Sequence, residues 1–144
     1  MIFIIACGII ILDQITKFLA LKFLPLNTPV PIIKNFLNLT LVRNRGAAFG
    51  LFQNQLFWFV LVSFFAIGLI LYTLKSKTHS FLLKLCLSLI LGGAAGNLID
   101  RMRLGCVIDF LDLRVWPVFN LADSMITVAA VLLTWELIFN KNAA

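Results

Sequence analysis

The sequence predicts an all-α membrane protein: four transmembrane helices with a small extracytoplasmic β element. Three observations predict it. Hydrophobic residues make up 62% of the chain and mean hydropathy is +1.05, too apolar for the surface of a soluble domain of this length. Apolar runs at Met1–Phe23, Leu56–Leu74, Phe81–Ile99 and Leu121–Phe139 each approach the ~20 residues that a ~30 Å hydrocarbon core demands. Between the first two runs, Leu37, Leu39 and Leu41 alternate with Asn38 and Thr40, the period of a strand. Four spans in 144 residues leave no room for a separate soluble domain, so 1–144 reads as a single integral membrane domain.

The first run has no basic stretch ahead of it and no small-residue cleavage site behind it, so it reads as a retained span. Within it, "DQITK" places Asp13 and Lys17 four apart on one helix face. Ionisable groups inside a span are costly and are usually paired or functional. The plain alternative is a structural pair, with Lys17 reaching out to the interface. Pro25, Pro29 and Pro31 then rule out a continuous helix before the strand. The connection "KSKTHS" (75–80) is short and basic, and His79 in it reads as a solvated loop residue.

"LGGAAGNLIDR" (91–101) closes the third run. Gly92 and Gly96 form a GxxxG that lets another helix approach closely. Asp100, near a helix C-terminus, opposes the helix dipole and calls for a cationic partner, with Arg101 adjacent. Asn97 is placed to orient a neighbour or to bind a peptide backbone. Residues 100–120 are too patterned for a plain linker. "FNLADS" (119–124) then opens the fourth run, with Asn120 as N-cap and Asp123 as the acid at the third helical position.

The formal charge of +6 comes from twelve scattered Lys and Arg, without the basic block and interleaved aromatics of a nucleic-acid binder. It reads as membrane-facing. Cys7, Cys86 and Cys106 make no CxxC, and there is one His, so neither a disulfide framework nor a metal site is indicated. No GxSxG elbow is present, and nothing local supports a pair of Ser124 with Lys17. Four spans would put both termini and the 75–80 loop on one side. Lys75, Lys77, Lys84 and Lys141 there suit a cytoplasmic face. Lys34, Arg43, Arg45, Arg101, Arg103 and Arg114 would then all face outward, against the positive-inside rule.

The chain has six acidic side chains, and three of them, Asp109, Asp112 and Asp123, fall in "VIDFLDLRVWPVFNLADS" (107–124). A capping role for Asp123 leaves Asp109 unexplained. Two carboxylates brought close together share one proton and split their pKa values. The ionised member can then deprotonate a water that attacks a carbonyl, while the protonated member polarises that carbonyl. Asp112 reads as a surface hydrogen-bonding residue. Intramembrane charges are also compatible with a transporter, and a GxxxG with a helix scaffold, but here the polar residues cluster towards one face.

In order along the chain, "DQITK", "RNRGAAFG", "GGAAGNLIDR", "VIDF" and "FNLADS" resemble the blocks of the bacterial lipoprotein signal peptidases, also called type II signal peptidases. The resemblance covers nearly the whole chain. It implies an aspartyl endopeptidase without metal or organic cofactor, with Asp109 and Asp123 as catalytic dyad. It implies that Asn44, Asn97, Arg101 and Asn120 contact substrate or the peptide antibiotic globomycin, and that Asp13, Lys17 and Asp100 are supporting polar residues. Arg45 departs from the small or neutral residue of the family pattern. The implied partners are membrane lipid and diacylglyceryl-modified prolipoproteins, cut just before the lipidated cysteine. The implied location is the bacterial plasma (inner) membrane, multi-pass, with both termini cytoplasmic and the site near the outer leaflet.

Overall fold

A computed structural model describes residues 2–46, 55–75 and 80–139. The elements run α1 (Ile2–Phe23), β1 (Val30–Ile33), β2 (Leu37–Asn44), α2 (Leu56–Thr73), α3 (Phe81–Leu104), β3 (Val107–Asp112) and α4 (Leu121–Phe139). Among the described residues three helices, α1, α2 and α3, are long and apolar enough to cross a membrane. The 19-residue α4, which carries Asp123 and Glu136, is not one of the three. The helical, membrane-type architecture therefore stands with three such helices in place of the expected four.

The helix α3 is central, and α1, α2 and α4 all pack on it. In α1 the buried residues are Ala6, Ile9, Asp13, Lys17 and Ala20, a stripe at helical spacing that leaves the other faces apolar and outward. The glycines of α3 set how closely its neighbours approach. A Cβ on Gly92 would lie 2.8 Å from the Ile9 side chain, one on Gly93 would lie 2.6 Å from the Ala122 carbonyl of α4, and one on Gly96 would lie 2.5 Å from Asp13. The expected GxxxG contact is thus made with α1, and Gly93 adds an equivalent contact with α4.

The third helix continues past the expected Ile99 to Leu104 and ends at Gly105, which adopts φ 69°. A left-handed residue there terminates the helix at little cost only when it is glycine. The chain then turns directly into β3.

The β element is a three-stranded antiparallel sheet ordered β1-β2-β3. Its third strand comes from the 107–112 segment, so Asp109 is a strand residue. Alternation along β3 puts Ile108 and Phe110 into an apolar cluster with Ala20, Leu41 and Cys106, while Asp109 between them points to the other side. Asp109 pairs in register with Val42, next to an irregularity between Leu39 and Val42. Leu39 and Leu41 contribute to the apolar cluster as their alternation predicted.

Candidate active site

Asp109 on β3 and Asp123 in the first turn of α4 line one pocket of about 260 Å³. Asn44, Asn97 and Arg101 line it as well, with Trp116, Pro117, Val118 and Phe119 forming a wall between the two carboxylates in sequence. The 116–119 segment is therefore part of the site.

Local chain geometry brings the carboxylates there. Asn120 is the helix cap, its side-chain oxygen accepting the Asp123 N–H at 2.9 Å, which fixes the start of α4 and thus the position of Asp123. The reciprocal half of a capping box is replaced: the Asp123 Oδ1 accepts from the Asn97 Nδ2 at 2.8 Å.

Three asparagine amides hold the two carboxylates, and each is oriented by a donor that cannot be reversed. The Asn120 oxygen accepts a backbone N–H, so its nitrogen donates to Asp109 Oδ1 at 2.7 Å and to Asn97 Oδ1 at 3.1 Å. The Asn97 oxygen also accepts the Lys17 ammonium at 2.8 Å, so its nitrogen faces Asp123. The Asn44 oxygen accepts the Gly46 N–H at 3.0 Å, so its nitrogen donates to Asp109 Oδ2 at 2.9 Å. Asp109 is 2% exposed. Burial, and then the negative charge of Asp123, push its carboxyl up to about 6, against the opposing hydrogen bonds from Asn44 and Asn120. Of two such groups, one readily keeps a proton near neutral pH, so the arrangement can act as a general base paired with a general acid.

Asp13, Lys17 and Asp100 lie behind the pocket. The buried Lys17 ammonium is 2.8 Å from Asp13 and 2.9 Å from Asp100, so it does not reach outward to the interface. The partner of Asp100 is Lys17, not the adjacent Arg101 we expected. Arg101 instead sits over the Phe59 ring of α2, 5.1 Å from its centroid, and faces the pocket. On the helix, successive side chains point in different directions, so neighbours in sequence are poor partners. Asp100 also accepts the Ile108 N–H at 3.1 Å, and Asp13 accepts the Ala122 N–H at 3.0 Å. Both carboxylates thereby tie elements to β3 and α4.

Gln14 is a further member that the sequence reading passed over. Its amide donates to Asp100 at 3.0 Å and to the Gly96 carbonyl at 3.3 Å. A glutamine inside an apolar helix, next to Asp13, was the available signal. Phe59 and the Gly46 N–H gave no such signal, because one is an ordinary apolar residue of a span and the other a backbone group.

Asp112 behaves as the surface residue expected. It accepts from Thr40 Oγ1 at 2.7 Å and from the Arg114 N–H at 2.8 Å. Burial raises its pKa, but these hydrogen bonds outweigh it and leave the group below the ordinary carboxylate range. Ser124 donates to the Asn120 carbonyl at 2.9 Å, and Lys17 is engaged elsewhere, so the two make no nucleophilic pair. Residues 47–50 of "RNRGAAFG" and 76–79 of "KSKTHS", including His79, lie outside the described residues. Among the described residues no group of three or more His, Cys, Asp or Glu is placed to hold a metal ion.

The chain matches the family model described as signal peptidase (SPase) II over residues 5–139. A lipoprotein signal peptidase of Caldanaerobacter subterraneus subsp. tengcongensis is 44% identical over 137 residues, covering 94% of each chain. One from Halothermothrix orenii is 43% identical over 133 residues, covering 92% of each. A bacterial membrane enzyme solved by the in meso method at 2.3 Å superposes with a TM-score of 0.90 at 30% identity, covering 99% of this chain and 92% of that one. The chain belongs to the signal peptidase II family and is an aspartic peptidase.

Proposed function

We propose that Asp109 and Asp123 are the catalytic pair of this peptidase, and that it cuts diacylglyceryl-modified prolipoproteins just before the lipidated cysteine. Removal of signal peptides from prolipoproteins is the family's reaction. The observation that carries the residue assignment is the shared pocket: two carboxylates from different elements, held by neutral amides and open to a peptide-sized space.

In this reading the ionised carboxylate takes a proton from a water, whose oxygen attacks the scissile carbonyl carbon. The protonated carboxylate gives a hydrogen bond, then its proton, to the carbonyl oxygen. Collapse of the tetrahedral intermediate breaks the C–N bond. The pair delivers a proton to the leaving amine, which becomes the new N-terminus of the lipidated cysteine. Arg101 and the outer amides of Asn44 and Asn97 are positioned to hold the peptide and ester carbonyls of the substrate. Asn120 fixes Asp109 and the start of α4. Asp13, Lys17 and Asp100 fix α1, α3 and β3 around the pair. Globomycin-type peptides would occupy the same pocket.

We further place α4 in the membrane as a fourth span. Both termini are then cytoplasmic, the protein is multi-pass in the bacterial inner membrane, and the site lies near the outer leaflet under the sheet. Residues 1–144 act as one integral membrane peptidase domain. A signal helix entering sideways from the bilayer would present its scissile bond by proximity.

The test is cleavage of a diacylglyceryl-modified prolipoprotein by the purified protein in detergent, with product mass read at the new N-terminus. Release of a product beginning at the lipidated cysteine is expected. Cleavage elsewhere, or undiminished cleavage by Asp109→Asn, would overturn the proposal.

A further inference from the structure

The basic residues that strain the positive-inside rule have a place in the fold. The sheet sits where two apolar helices end: Ala20 and Leu24 of the α1 terminus pack against it, and α3 passes into β3 through Gly105. A structure at that level, continuous with membrane-crossing helices, lies at headgroup depth. Its edge strand β1 leaves Ile32 57% and Ile33 50% exposed, with Phe36 in the following turn at 60%. Beyond β3, Val115 is 92% and Trp116 58% exposed. Lys34, Arg43, Arg45 and Arg114 are exposed on the same element, and among the described residues none is in an ion pair. Among the described residues the carboxylate on this surface is Asp112, which accepts from Thr40 and the Arg114 N–H; the Arg114 guanidinium feels its charge and donates to Asn35 at 3.3 Å.

Exposed apolar side chains and a tryptophan interleaved with exposed cations are the pattern of an element that lies in a membrane interface. Cations there are attracted specifically to negatively charged headgroups. We propose that the sheet is a docking surface for anionic phospholipid, with Ile32, Ile33, Phe36 and Val115 entering the acyl boundary and Lys34, Arg43, Arg45 and Arg114 meeting phosphate groups. The outward cations are then held by lipid, and the sheet rests against the leaflet at the depth of the pocket. This rests on the membrane reading proposed above but on no part of the proposed chemistry.

Trp116 supplies the reporter. The protein carrying Trp58→Phe and Trp135→Phe is reconstituted in phosphatidylcholine bilayers containing increasing mole fractions of dibrominated phosphatidylglycerol or of dibrominated phosphatidylcholine, and fluorescence quenching is measured. The brominated phosphatidylglycerol is expected to quench at lower mole fraction, by about fivefold for each engaged basic side chain. Adding Lys34→Gln, Arg43→Gln and Arg114→Asn should remove at least tenfold of that preference. Equal quenching by both lipids in the parent protein would overturn the proposal. So would an unquenched Trp116 accompanied by self-association, which would put a second copy on this surface. Because no substrate is used, failure here leaves the peptidase assignment standing, and an inert peptidase leaves this result readable.

Discussion

Two pairs of aspartates lie side by side in this molecule and are handled in opposite ways. Asp13 and Asp100 share the Lys17 ammonium at 2.8 and 2.9 Å. Asp109 and Asp123 are held in contact by amides, from Asn44, Asn97 and Asn120, while Lys17 and Arg101 act on them by charge without an ion-pair contact. A cation in contact ties the first pair together, and with its remaining bonds to backbone N–H groups it becomes a rivet between helices. Neutral donors orient the second pair without settling its charge, so a proton can come and go. On the proposed assignment, one residue type serves as scaffold or as reagent according to whether a lysine is in ion-pair contact with it. Lys17 also touches both systems, because its third contact orients Asn97.

The comparison can be broken most directly at the pair itself. Asp109→Asn and Asp123→Asn should each lower cleavage by about 10³-fold or more while leaving the thermal unfolding midpoint near or above wild type. Equal loss of folded protein would show the second pair to be scaffold too. Lys17→Met should do the reverse, destabilising by about 3–5 kcal/mol because two buried carboxylates lose their counter-ion. Denaturant or thermal melts in detergent would read this, and a stable Lys17→Met protein would contradict the rivet.

The third prediction concerns pH. The Asp109 carboxyl is raised from 3.8 to about 6 in the folded protein. Between those values the native state binds a proton that the unfolded chain releases, so this group's contribution to stability falls as pH rises through the window. Asp109→Asn should therefore exceed wild type in melting temperature at pH 7, by the equivalent of on the order of 2 kcal/mol, and lose the advantage near pH 4. A pH-independent difference would count against a titrating pair. The pair's single proton should likewise make kcat/KM fall as pH rises above about 6. The smallest effect belongs to Asp112, the third acid of the same stretch. Asp112→Asn should cost under about 1 kcal/mol and change cleavage less than twofold, since its partners are Thr40 and a turn N–H.

Much of this was legible in the sequence where the determinant was local. The four helices, the strand from Leu37, the Asn120 cap and the Asp13–Lys17 spacing all follow from periods and short offsets. The Asp109–Asp123 pair was legible only as scarce charge gathered in an oily chain and as resemblance to a family. What escaped depended on contacts between distant segments. Lys17 reaches Asp100 across the α1–α3 interface, and no local rule prefers it to Arg101 next door. The 107–112 segment becomes a strand because β2 offers it an edge, which the 3.6- and 2-residue periods of so short a run do not announce. Gly93 lies outside the GxxxG spacing, and its contact with α4 comes from the tertiary packing.

One small contact has a consequence for how the protein is made. The Asp13 carboxylate near the start of the chain accepts the Ala122 N–H near its end. A ribosome delivers α1 long before α4, so through most of synthesis Asp13 and Lys17 wait in the bilayer as an unfinished socket. The pocket is complete only when α4 arrives. A nascent or truncated chain that lacks α4 thus has Asp109 without the Asp123 carboxylate and the Asn120 amide beside it, and on the proposed assignment it cannot cut until α4 is in place.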